Sequence, residues 1–192
     1  MAAPILADIS GATGWVADYH ASVPPQEHDI AGLSSALNSV LGAELAGAQT
    51  ALGATAEEIL LAALIRAIAR TVGDGVLNVE LSDGWSGQRQ VTVPCLAQRD
   101  LTSPELLAGA RSALEGEPRP AMGTAEVLLS HGVAPTHNPD TGHLLGLYVH
   151  RDADFADVLY LDWRYDTRSF ERSTVEELSE QFPLALIEIT SG

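Results

Sequence analysis

The sequence predicts an α/β protein of the two-layer α+β kind, a mixed sheet packed by helices on one or both faces. Three observations lead there. Apolar residues recur at helical spacing in some stretches and alternate at period two in others, and the two kinds of stretch are interleaved along the chain. The 192 residues, 46% of them hydrophobic, suffice for one core and are too few for several.

Residues 1–32 read as a partly ordered arm, because Pro4, Gly11, Gly14 and the pair Pro24-Pro25 interrupt any period; Trp15 to Tyr19 could dock as one helical turn. The domain proper is set at 33–192. Leu33, Leu37, Val40, Leu41 and Leu45 have helical spacing, with Ser34 or Ser35 near the start and Gly47 after the end. A second helix is expected over Ala56–Thr71, where Thr55 and Glu58 stand at capping-box spacing and Gly73 follows the last turn. Apolar residues from Ile59 to Ile68 surround its axis, so it should be buried on most sides.

Gly75–Leu81 alternates as a strand, with Leu77, Val79 and Leu81 on one face and Val76, Asn78 and Glu80 on the other. Asp83-Gly84 and Ser86-Gly87 supply turn residues before a short strand over Gln90–Leu96. Ser103 as cap and Pro104 at the first position open a helix to about Leu114, which Gly116, Pro118 and Pro120 end. Thr124–Ser130 is a further strand, and His131–Thr141 is irregular. His143–His150 and Val158–Tyr165 form a hairpin across the acidic loop Asp152–Asp157. Leu159, Leu161, Trp163 and Tyr165 share one face of the second strand and Val158, Tyr160, Asp162 and Arg164 the other, and one of the two faces is core. Ser173 and Glu176 repeat the capping-box spacing ahead of a last helix, along which Val175, Leu178, Phe182, Leu186 and Ile189 form an apolar stripe; Pro183 should kink it near Ser179.

Charge narrows the function classes. There are 26 acidic residues against 10 basic, a net −16, and every basic residue is an arginine. Such a chain offers no basic footprint for nucleic acid or an anionic membrane surface. Cys95 has no second thiol to pair with and reads as a small buried hydrophobe. No stretch reaches the length of a membrane span and residues 1–10 lack a basic leader region, so a cytoplasmic location is expected.

Certain segments, in this order and spacing, resemble a known family. They are Thr55-Ala-Glu-Glu-Ile-Leu-Leu-Ala-Ala-Leu-Ile-Arg-Ala-Ile-Ala-Arg, then Gly75-Val-Leu-Asn-Val-Glu, then Leu159-Tyr-Leu-Asp-Trp-Arg-Tyr-Asp-Thr-Arg-Ser-Phe, then Ser173-Thr-Val-Glu-Glu-Leu-Ser-Glu-Gln-Phe-Pro-Leu-Ala-Leu. Between about Leu33 and Ile189 the chain resembles the C-terminal lobe of condensation and epimerization domains of nonribosomal peptide synthetases. The resemblance implies a chloramphenicol acetyltransferase-like lobe, present once where a complete condensation domain has two. In that family an acyl or peptidyl thioester on one carrier protein is joined to an amine on another, and the base is the second histidine of an HHxxxDG motif on the N-terminal lobe.

No such motif occurs here. His20, His28, His131, His137, His143 and His150 include no adjacent pair. The expectation is therefore a stand-alone condensation-like half, a binding or accessory subunit in natural-product assembly that is not catalytic alone. No catalytic residue, metal or resident cofactor is assigned to it. The partners implied are a synthetase module, a carrier protein with its phosphopantetheine arm, or a second subunit bearing the other lobe; a homo-oligomer is the further possibility.

Arg151, Arg164, Arg168 and Arg172 lie within twenty-two residues, and with Trp163 they are the candidate partner- or substrate-binding set. The competing account pairs those arginines with the local acids Asp152, Asp154, Asp157, Asp162, Asp166 and Glu171. His143 and His150 fall on opposite faces of one expected strand, which argues against a shared metal. The alternative function is a homo-oligomeric CoA- or carrier-dependent acyltransferase, with His131 as substitute base at a subunit interface.

Overall fold

A computed structural model describes residues 16–21, 23–37, 39–82, 88–97, 101–116, 125–136, 142–151 and 158–191. After a 3-10 turn at Glu27–Asp29 the elements run β1 (Ile30–Leu37), α1 (Ser39–Leu52), α2 (Ala56–Thr71), β2 (Gly75–Ser82), β3 (Gln88–Cys95), α3 (Ser103–Glu115), β4 (Val127–His131), β5 (Leu145–Arg151), β6 (Leu159–Asp166) and α4 (Arg172–Thr190). The strands form one six-stranded sheet in the order β1-β6-β5-β4-β2-β3. Its centre is parallel (β2 with β4, β4 with β5), while β1-β6, β5-β6 and β2-β3 are antiparallel. Mixed α/β in two layers is the architecture expected.

The core lies between the inner face of the sheet and the helices. Leu77, Val79 and Leu81 of β2, Leu145, Leu147 and Val149 of β5, and Leu159, Leu161 and Trp163 of β6 are all buried there. α2 is the central helix: every residue from Ile59 to Ala69 is buried, and it packs on α3 and α4. Its capping box forms as expected, with the Glu58 N–H donating to Thr55 Oγ1 at 3.1 Å and the Thr55 N–H donating to Glu58 Oε2 at 3.0 Å. Cys95 is 2% exposed, and burial pushes its thiol pKa up to about 12, the behaviour of an inert core residue.

Several local expectations are corrected. Leu33 to Leu37 is not the start of a helix but the second half of β1, which runs across residue 32. Leucines four apart satisfy a helical turn and an even strand step equally, and the decisive pattern is Gly32, Ser34 and Ala36 exposed against a buried Leu37. α1 does not end at Gly47; it continues to Leu52, where Gly53 takes φ +57. Thr102, not Ser103, precedes α3, its N–H donating to Glu105 Oε2 at 2.8 Å, which frees Ser103 Oγ to donate to the Glu188 carbonyl of α4.

α4 begins at Arg172, one residue before the expected cap, and Glu176 accepts from Arg172 Nε at 2.7 Å. α4 continues through Pro183 to Thr190. Ahead of α4, the N–H of Glu171 donates to Asp18 Oδ2 at 2.8 Å, and the N–H of Tyr19 donates to the Ser169 carbonyl, so residues 16–19 dock as bends rather than a helical turn, with Val16 buried. His143 precedes β5 instead of lying on it. Trp15, the turns at residues 83–87, Thr124, His137 and the loop 152–157 lie outside the described residues.

Candidate functional site

Every strand alternates, so the sheet has a second face whose residues include Gly32 and Ser34 of β1, Tyr160, Asp162 and Arg164 of β6, Gly146, Tyr148 and His150 of β5, and Glu80 of β2. The side chains named here are polar or absent, in contrast to the apolar inner face, although Leu128 of β4, opposite Glu80 and Gly146, adds one buried apolar residue to this side. Asp162 holds three strands together here: His150 Nε2 lies 2.6 Å from its Oδ2, and the Ser34 hydroxyl donates to its Oδ1. The His150 ring stacks on Tyr160, with centroids 5.9 Å apart and planes at 18°. Serine, aspartate and histidine therefore meet with the carboxylate in the middle. A nucleophilic triad requires the imidazole between hydroxyl and carboxylate, so this trio is a fastening and not a hydrolytic site.

His143 lies 3.5 Å from Glu80 Oε2, to which Gln90 Nε2 also donates at 3.3 Å. The two histidines thus serve separate carboxylates, and among the described residues no three His, Cys, Asp or Glu side chains converge as metal ligands would. Glu126, the residue before β4, has its carboxyl pKa raised by burial.

A pocket of about 250 Å³ opens at the carboxyl ends of β2 and β4, against the first turn of α2. Thr55, Glu57, Ser82 and His131 give it polar walls, while Leu60 and Leu129 line its floor. His131 ends β4, with Gly132 at φ +84 behind it. Glu57 also receives Arg89 Nη2 at 3.0 Å, so one wall already carries an ion pair.

The five residues singled out from the sequence are not gathered into one site. Trp163 is fully buried on the inner face, edge-on to Phe182 at a centroid separation of 6.1 Å. Arg172 pairs with Glu176 one turn further along α4. Arg168 is spent within the fold: its Nε and Nη2 donate to Asp166 at 3.0 Å, its Nε lies 3.3 Å from Asp29, and its Nη2 donates to the Val23 carbonyl. Burial by itself would raise the Asp166 carboxyl, but hydrogen bonds from Arg168 and Ser169 outweigh it and hold the pKa below the usual value. The bond to Asp166 in turn raises the Arg168 pKa. Arg151 is exposed at the end of β5, and Arg164 lies at the middle of the outer face of β6.

What sequence reasoning missed is the outer-face fastening, because its members are 12 and 128 residues apart and only strand register joins them. His150 and Asp162 had one usable signal: both fall opposite the apolar positions of their strands.

Known proteins place this geometry. No family model matches the sequence. Among solved structures, the epimerization domain from the third module of tyrocidine synthetase B superposes with a TM-score of 0.70 at 13% identity, over 91% of this chain and 51% of that one. The chain has a condensation-domain lobe fold. The condensation domain of the Monacolin K polyketide synthase matches this lobe with a TM-score of 0.65 at 12% identity, covering 88% and 49% of the two chains. The X-domain from teicoplanin biosynthesis, solved in complex with OxyB, gives 0.64 at 18% identity, with 96% and 50% covered.

In sequence the lobe is 30% identical, over 91% of its length, to a phenolphthiocerol/phthiocerol polyketide synthase polypeptide of Mycobacterium tuberculosis. It spans 16% of that relative's length. Natural-product assembly is thus the common setting of the proteins this lobe is like, and those relatives are parts of larger multidomain chains. Among the described residues no helix is long and apolar enough to cross a membrane.

Proposed function

We propose that the chain supplies one wall of a two-lobed condensation-type unit in polyketide or nonribosomal peptide assembly, acting as a binding or accessory lobe and not as an independent catalyst. One observation carries this reading: a sheet and helix layer with its own core corresponds to only about half of the epimerization domain it resembles. The outer face of the sheet, polar and fastened by Asp162, is the surface turned to the partner. The sequence contains no HHxxxDG, so the base for amide formation comes from another lobe or subunit. The lobe needs no cofactor of its own, the reactive thioester being carried on the phosphopantetheine arm of a carrier protein.

Mixing the full chain with an HHxxxDG-bearing lobe, and separately with holo carrier proteins, tests this at low salt by analytical ultracentrifugation and a condensation assay. The expected result is a complex with at least one of them and no condensation by the chain alone. Condensation by the chain alone, or no complex with either, overturns it.

A second reading rests on His131 in the pocket at the first turn of α2. There the chain is a self-associating acyltransferase that uses this imidazole as base. Acyl-CoA turnover abolished by His131→Ala supports it, and turnover unchanged by that substitution removes it.

A further inference from the structure

In a chain with 26 acidic residues, an arginine without a carboxylate partner is conspicuous. Arg66 and Arg70 share Glu188, Arg89 holds Glu57, Arg111 holds Glu58, Arg168 holds Asp166 and Arg172 holds Glu176. Among the described residues neither an ion pair nor a hydrogen bond engages the guanidinium of Arg164.

The register explains why. Across the sheet both neighbours of Arg164 are glycines, Gly32 on β1 and Gly146 on β5. Along β6 the residues two before and two after it on the same face are Asp162 and Asp166. Both are occupied elsewhere, the first by His150 and Ser34, the second by Arg168 and Ser169. The Arg164 side chain lies over Gly32, where an added Cβ would stand 3.0 Å from its Nη1, so only glycine leaves it that path. The ring of Tyr148 covers Gly146 in the same way, with Cε2 3.1 Å from an added Cβ.

We infer that the Arg164 guanidinium, laid over Gly32, forms a binding point for an oxyanion, a carboxylate or phosphate, on a ligand laid across β1, β6 and β5. The planar guanidinium presents paired N–H donors to such a group, and a half-buried stem limits its freedom to turn away. The net charge of −16 repels anions at long range, so a ligand held here is selected by this local geometry and not by the overall field. The inference concerns the same face as the partner-lobe reading above, but its test uses the chain without any partner, so the two can fail separately.

The test is an amide NMR titration of the full chain at low ionic strength with succinate, with pantetheine 4′-phosphate and with uncharged pantetheine. At least one of the two anions should shift the signals of Gly32, Gly146 and Arg164, and pantetheine should not; which anion binds identifies the source of the oxyanion. Arg164→Gln should weaken that binding at least tenfold. Arg164→Lys, which keeps the charge and loses the fork, and Gly32→Ala, which displaces the guanidinium, should weaken it severalfold. Arg70→Gln removes the same charge from the helix layer and should leave it within twofold. Absence of shifts with both anions, equal shifts with pantetheine, or an Arg164→Gln affinity within twofold of the parent would overturn the inference.

Discussion

The two faces of the sheet are built from the same strands and obey different rules. The inner face is continuous hydrocarbon: Leu, Val and Trp side chains from β2, β4, β5 and β6 interlock with α2 and α4, and position matters there through volume. On the outer face Ser34, Asp162, His150 and Tyr160 are tied by direction, and Gly32 and Gly146 make room for the side chains of Arg164 and Tyr148 that lie over them. Apolar burial therefore concentrates on one side, and on the proposed function recognition falls to the other, so substitutions should divide accordingly.

The largest effect is expected inside. Trp163→Ala removes the biggest fully buried side chain and leaves Phe182 without its edge contact, which should cost about 3–5 kcal/mol in urea unfolding. Little change there would mean the inner face is not the stabilising one.

Next comes the carboxyl end of β6. Asp166→Asn breaks the bonds to Arg168 and Ser169 and should cost about 2 kcal/mol at pH 7, a figure reduced because Arg168 is partly solvated. The folded-state pKa of Asp166 lies below its ordinary value of 3.8, so its contribution is fully present above that value and is lost as pH falls through the folded pKa. The stability gap between parent and Asp166→Asn should accordingly be constant from pH 7 down to about 5 and close on further acidification. A gap that widened in acid would contradict the assignment.

Thr55→Ala opens the α2 capping box and should cost about 1 kcal/mol. Smallest of all, Ser34→Ala on the outer face leaves Asp162 with His150 and should cost about 0.5 kcal/mol or less. A Ser34→Ala loss as large as that of Trp163→Ala would erase the distinction between the faces.

How far this was readable from sequence follows the same division. α2 was readable to the residue because its cap, its apolar circumference and its terminal glycine are all local signals. β2 was readable because Leu77, Val79 and Leu81 alternate strictly with polar or smaller residues. β1 was not, since Leu33 and Leu37 satisfy two periods at once, and only its pairing with β6 selects the strand. The arginine cluster shows the limit most clearly. Spacing brought Arg164, Arg168 and Arg172 together, but what separates them is which carboxylate each one meets. The pair joining Arg168 to Asp29 spans the fold, and the isolation of Arg164 depends on two glycines from other strands. Trp163, singled out as a binding candidate, was correctly grouped with Leu159, Leu161 and Tyr165 on one face, but that face is the core, where it packs on Phe182 away from the outer surface.

The claim that the outer face is the working surface is tested most directly by mapping amide shift changes when an HHxxxDG-bearing lobe or a holo carrier protein binds the isotopically labelled chain. Changes should concentrate on Gly32, Ser34, Gly146, His150, Asp162 and Arg164. Changes confined to the outward surfaces of α1, α3 and α4 would contradict it.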